Sequence, residues 1–215
     1  GIIVKYSIHI LTTHKHADRH RAILDTWLKG RDNYYFYTDK DTGIGNQAEV
    51  DPDDTYNSNG KKNLKELIRI EQEFLTDVYD WFLFCDDDTC PNLPAIEKLL
   101  PTLDPDKMYG SLLEGCWPHD RLLKYHSGGA GYLISSKVLK IHKAPSLAYL
   151  NMSFYSDVCV GMWAFDKGIQ LENLKGFHSQ APEFYKYSDD DCVNKLTFHY
   201  IKTYDDMSKL WSLYE

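Results

Sequence analysis

The chain has 215 residues, 43 % hydrophobic and 26 % charged, which suits one globular domain with a sizeable core. A net charge of −8, with no basic run longer than two residues, argues against nucleic acid or an anionic membrane as partner. No apolar run approaches the ~20 residues of a membrane span, no segment reads as a signal peptide, and the five cysteines lack the CxxC spacing of a zinc site.

Ile2 to Leu11 reads as a buried strand that runs into the polar loop Thr12-Thr13-His14-Lys15-His16, with Ala17 to Lys29 as the helix behind it. A polar loop between the first strand and helix is where an α/β fold holds a nucleotide. The strand starts so near Gly1 that the chain looks like a catalytic domain from a longer product, whose anchor is left open. Tyr34 to Tyr37 is a second strand, and residues 39–60, rich in Asp, Asn and Gly, read as loop. The segment Asp51 to Tyr56 lacks the glycine that a calcium loop requires at its sixth place. Lys61 to Leu75 carries Leu64, Leu67, Ile68, Phe74 and Leu75 at helical spacing.

The chain turns on Asp80 to Cys90. Trp81 to Cys85 is an apolar run without Gly or Pro, the pattern of a strand buried on both faces, and it ends in Asp86, Asp87 and Asp88. Three adjacent carboxylates repel one another unless a cation sits among them. The alternative is a solvated acidic turn capping the helix that starts near Asn92.

Leu93 to Leu100 reads as a helix closed by Pro101, Met108 to Leu113 as a strand, and Glu114 to Lys124 as a polar connection. In His126-Ser-Gly-Gly-Ala-Gly-Tyr132 the glycines permit close backbone approach, but the block is neither a P-loop nor GxGxxG. Helices are expected over Ser135 to His142 and from Ser156 to Asp166, where Asp157 is open to a plain capping role. Gly168 to Leu174 is a strand, followed by Gly176-Phe-His178-Ser. The acidic segment Ser188 to Cys192 reads as solvated, Leu196 to Lys202 as a last strand, and Asp205 to Tyr214 as a closing helix. Asn151-Met152-Ser153 is an N-glycosylation sequon, and an odd number of cysteines leaves at least one thiol free in a monomer. The 16 Tyr and five Trp suit stacking on sugar rings, although core packing accounts for most of them, Tyr132 and Trp163 included.

Several blocks, in this order, resemble the fringe-like β1,3-glycosyltransferases, and among them most the core 1 galactosyltransferases. They are Arg19-His-Arg-Ala-Ile-Leu-Asp-Thr-Trp27, Phe36-Tyr-Thr-Asp39, Lys62 before the acidic strand, Asp80-Trp-Phe-Leu-Phe-Cys-Asp-Asp-Asp-Thr89, Ser127-Gly-Gly-Ala-Gly-Tyr132, Ser156-Asp-Val-Cys-Val-Gly161 and Gly176-Phe-His-Ser179. The resemblance implies a single α/β domain over residues 1–215 with a GT-A-type nucleotide-sugar transferase fold, a mostly parallel central sheet flanked by helices. It also implies an inverting enzyme that uses Mn²⁺ and a UDP-sugar, with a glycan or glycoprotein acceptor and a place in the Golgi lumen. Galactose is the favoured sugar, with N-acetylglucosamine or glucose as alternatives. Carried over residue by residue, Asp88 and His178 bind the metal, with Asp86 beside them nearer the donor. Asp157 is the catalytic base, and Thr12, Thr13, Arg19, Lys62, Asp87, Gly128 and Gly129 contact the donor. Many relatives have two acidic residues where this chain has Ser156-Asp157. Other readings are a non-catalytic nucleotide-sugar or glycan-binding module, and a haloacid-dehalogenase-type phosphohydrolase, for which Thr89 stands one residue early. The acceptor, oligomeric state and disulfide pairing stay open.

Overall fold

The computed structural model describes residues 3–116 and 122–214, without the side chain of Cys116. The expected start of the first strand at Ile2 and the centre of the polar connection lie outside these residues.

Parallel pairing builds the first half. β1 (Tyr6–Leu11) is buried along its length, and after a short 3-10 turn α1 (Ala17–Asp25) brings the chain back to β2 (Tyr34–Thr38), parallel to β1. β3 (Gln47–Glu49) adds a parallel edge strand within the stretch expected to be loop; three residues are too few to display an alternating pattern. α2 (Asn59–Gln72) buries Leu64, Leu67 and Ile70 and feeds β4 (Trp81–Asp86), which pairs with the other side of β1 and sets Asp86 opposite Leu11.

The second half is mixed. After β5 (Cys90–Pro91) comes α3 (Leu93–Leu99), capped by the Asn92 side chain, which accepts from the Ala95 N–H at 3.3 Å. The acidic triplet is therefore not its cap. β6 (Lys107–Gly110) is followed by an antiparallel hairpin, β7 (Leu112–Cys116) and β8 (Leu122–His126), where a polar connection was expected. Leu122 and Lys124 face solvent while Leu123 and His126 are buried, so the polar residues belong to an exposed strand face. β9 (Tyr132–Ser135) runs antiparallel to both β4 and β6, and Ser135 caps α4 (Ser136–His142) by accepting from the Val138 N–H at 3.0 Å. α5 (Ser156–Lys167) leads to β10 (Gln170–Asn173), parallel to β6. α6 (Asp189–Cys192) is held by a capping box from Ser188 and Asp191, the two-residue β11 (Thr197–Phe198) pairs with β5, and α7 (Tyr204–Tyr214) closes the chain.

The main sheet has the order β10-β6-β9-β4-β1-β2-β3, mostly parallel with β9 as the antiparallel member. Strand alternation divides the core between its faces. Ile8, Ile10, Leu83 and Cys85 pack with Trp27 and Met207 on one side, and Phe82 and Phe84 pack with Leu64, Leu67 and Trp163 on the other. Gly131 enters β9 at φ +83°, where a side chain would be strained and would press on the Phe84 carbonyl. Cys85, Cys90, Cys159 and Cys192 are buried free thiols.

Candidate active site

The site lies outside the carboxyl ends of β1 and β4, the usual position for a ligand in such sheets. Alternation puts Asp86 on the same face as Phe82 and Phe84, toward α2 and α5. The next residue turns toward α1. Asp87 accepts hydrogen bonds from Thr12 Oγ1 (2.8 Å), His16 Nδ1 (2.7 Å) and Arg19 Nη1 (2.7 Å). Burial acts to raise its pKa, but these donors outweigh it and hold the carboxylate below its usual range.

Asp86 has no such support. Although 32 % of its side chain reaches solvent, loss of hydration and the neighbouring charge of Asp88 push its pKa up to about 7. Facing this pair is His199, whose Nε2 lies 3.0 Å from Asp88 Oδ1 and 3.6 Å from Asp86 Oδ2. Its Nδ1–H donates to the Ser179 carbonyl at 3.0 Å, which fixes the ring and directs Nε2 at the carboxylates. Burial opposes charge on the ring, yet the hydrogen bond and charge of Asp88 raise its pKa.

His199 takes the place expected for His178. The Nδ1 of His178 lies against the carbonyls of Gly176 (3.0 Å) and Thr197 (3.1 Å), its Nε2 meets Tyr187 Oη at 3.2 Å, and its ring stacks on Phe198. A parallel bridge between Phe177 and Thr197 sets the two segments side by side. His178 shares a face with Phe198, and His199 with Ser179, so the pleat sends the two imidazoles opposite ways. A histidine directly after a short buried strand, as the aspartates follow β4, was the available signal.

The glycine block serves this arrangement. A side chain at Gly129 would overlap the His199 ring, so only glycine lets the imidazole lie against the backbone there. Thr89 ties the two segments together, accepting from the Asp86 N–H at 3.1 Å and donating to the Gly129 carbonyl at 2.7 Å. Gly128 N–H donates to Asp157 Oδ2 at 3.1 Å, and the Val158 N–H donates to Oδ1 at 2.9 Å. Asp157 lies in the first turn of α5, whose N-cap position is Tyr155. Burial raises its pKa despite these hydrogen bonds.

Two hollows meet at Asp86 and His199. The larger, ≈ 700 Å³, is lined by Thr12, Thr13, Lys15, Arg19 and Lys62 as well as the acidic triplet. Lys62 is 1 % exposed, donates to the Thr12 carbonyl at 3.5 Å and lies 3.9 Å from Asp39. The smaller, ≈ 280 Å³, holds Asp157, Gly128 and Gly129 beneath a rim of Tyr56, Phe154, Tyr155 and Tyr200. These rim rings are about half exposed or more, whereas Trp163 and Tyr132 are core residues, as the sequence suggested. Tyr200 adopts φ 62°, a left-handed conformation unusual for a tyrosine, and stacks on His199 with ring centres 3.9 Å apart.

The ligand atoms of Asp86, Asp88 and His199 all lie within 4.8 Å of one another. Two carboxylates and an imidazole form a donor set suited to a divalent cation such as Mn²⁺, and the upward shift at Asp86 marks a charge the protein alone leaves unbalanced. A second group, His14, Asp39 and Asp54, differs: His14 is paired with Asp39, and Lys15 lies 3.1 Å from Asp54.

The fold has a counterpart among solved structures. A crystal structure of a glycosyltransferase involved in the glycosylation of the major capsid of PBCV-1 superposes with a TM-score of 0.52 at 14 % identity, covering 96 % of this chain and 99 % of that one. The fold is thus that of a glycosyltransferase. The model of the Fringe-like family matches residues 5–212, nearly the whole sequence, and the chain belongs to that family.

Proposed function

We propose that the protein is an inverting, Mn²⁺-dependent β1,3-glycosyltransferase that moves a hexose, galactose first, from a UDP-sugar to a hydroxyl of a glycan or glycoprotein. Family membership and fold support sugar transfer. The observation that carries the finer reading is the Asp86–Asp88–His199 cluster standing between a cation-lined cleft and a pocket with a carboxylate at its base. The choice of galactose and of the β1,3 linkage rests on the resemblance to core 1 enzymes. A Golgi lumenal setting belongs to the same proposal.

In this reading the ≈ 700 Å³ cleft takes the nucleotide, with Lys15, Arg19 and Lys62 countering its phosphates. Asp86, Asp88 and His199 would hold the divalent cation, which supplies positive charge to a departing diphosphate. Asp157 takes the proton from the acceptor hydroxyl. The Gly128 N–H fixes one of its oxygens, and its raised pKa makes it a better proton acceptor than an ordinary carboxylate. The rim of Tyr56, Phe154 and Tyr155 offers apolar faces against which an acceptor sugar can stack.

The test is UDP release from a panel of UDP-hexoses, with and without Mn²⁺, followed by an acceptor array using the best donor. Mn²⁺-dependent transfer with UDP-galactose as best donor is expected. Failure of every UDP-hexose in the presence of Mn²⁺ and the full array would refute the proposal.

A further inference from the structure

α2 carries a group that the mechanism above leaves unused. Glu66 is 1 % exposed, and its Oε1 has no hydrogen-bond partner among the described residues. Its other oxygen meets only a long 3.5 Å contact from Asn63 Nδ2, whose neighbour in turn is Tyr132 Oη. Among the described residues no cation pairs with it: Lys62, one turn earlier, faces Asp39, and Arg69 is taken by Glu73 and Tyr37. An unsatisfied buried polar atom costs about 1–3 kcal/mol, so a leucine or methionine here would serve the core better. Burial, reinforced by the charge of Asp86, pushes the Glu66 pKa well above the usual carboxylate range, which favours the neutral carboxyl, a form that can donate as well as accept a hydrogen bond.

Between Glu66 and Asp86 lies a cavity of ≈ 10 Å³, bounded also by Asn63, Ser156, Gly128 and Tyr132. That is the size of a single water, and the walls supply the two to four polar partners such a water needs. Asp86 meets His199 at the mouth of the site and has this cavity behind it.

The geometry points to Glu66 as a positioning residue that, through one buried water, holds the Asp86 carboxylate in the orientation needed to bind a divalent cation. The inference rests on the metal reading of Asp86, Asp88 and His199. Without this support Asp86 would be free to rotate in a site where its two oxygens are not equivalent, and outer-shell partners of this kind commonly set metal affinity.

The experiment is calorimetric titration of Mn²⁺ into the full chain with UDP present, for wild type, Glu66→Gln and Glu66→Met, alongside thermal melting. Gln keeps a donor and an acceptor for the water and should bind Mn²⁺ within about threefold of wild type; Met fills the cavity and should weaken binding by about 10- to 100-fold. The Met variant is expected to melt at or above the wild-type temperature, because an apolar side chain of similar length replaces a buried carboxyl and its water together. Wild-type Mn²⁺ affinity in Glu66→Met overturns the inference and leaves the metal reading intact, while a wild type that binds no Mn²⁺ overturns both. Should Glu66→Met fail to fold, a high-resolution crystal structure of the wild type decides: a water shared by Glu66 and Asp86 is required, and its absence refutes the role.

Discussion

Asp86 and Asp87 are adjacent in the chain and are driven in opposite directions. On the α1 side, Asp87 is surrounded by Arg19, His16 and Thr12 and stays ionised. On the α2 and α5 side, Asp86 shares its surroundings with Asp88, Asp157 and a single imidazole, His199, and resists ionisation. Residue type is the same; the face of the strand differs. One side is electrostatically complete and holds the loop after β1 against β4, and the other is short of positive charge. A site that must accept a cation needs that second condition, because a carboxylate already paired gains little from a metal.

If the two sides divide the labour in this way, substitutions on them fail differently. The largest effect is expected at Asp157: Asn should lower kcat about 10²- to 10⁴-fold while the melting temperature stays put, read by steady-state UDP release and differential scanning calorimetry. Full turnover in this variant would remove Asp157 as the base. Asp88→Ala should abolish calorimetric Mn²⁺ binding and cost about 10²- to 10³-fold in turnover, again in a folded protein.

On the paired side the loss should be in stability. Asp87→Ala strands the partly buried Arg19 guanidinium and should cost about 3 kcal/mol, a drop of roughly 6–12 °C in melting temperature. A variant that melts normally but no longer turns over would break the comparison, since Asp87 would then belong to the chemistry.

The smallest effect separates the site from the core beneath it. His9 and His126 are buried, and burial lowers their pKa values to about 3 and about 4, against 6.5 for an ordinary histidine. Below pH 6.5 the unfolded chain takes up protons that these rings refuse, so stability is whole above pH 6.5 and is lost as pH falls toward 4. By pH 5 each ring accounts for roughly 2 kcal/mol, and urea unfolding at pH 7 and pH 5 should show that fall. In His126→Gln the difference between the two pH values should shrink by about that amount.

Much of this was legible from residue order. The apolar run Trp81 to Cys85 and the helical spacing of Leu64 and Leu67 gave β4 and α2, because burial on a strand or one face of a helix imposes a periodic pattern. β3 and the β7–β8 hairpin escaped, one being too short to show a period and the other having an exposed polar face. Thr12, Arg19, Lys62, Asp86, Asp88, Gly128, Gly129 and Asp157 all reach the two hollows. The rim of Tyr56, Phe154 and Tyr155 did not announce itself, since nothing local distinguishes an exposed aromatic beside a cleft from one elsewhere, and the one local mark of His199 was its place after the short buried strand β11.

Sequence alone determined the α/β character and the buried strand ending in three carboxylates, because periodic burial and charge repulsion are properties of neighbours in the chain. Which imidazole joins the carboxylates, and which carboxylates stay unpaired, was decided only when residues 11–20, 86–89, 127–129, 157 and 199 met at one end of the sheet. Pleat parity turns His178 inward and His199 outward, and burial with or without a cation nearby gives the adjacent Asp86 and Asp87 opposite environments.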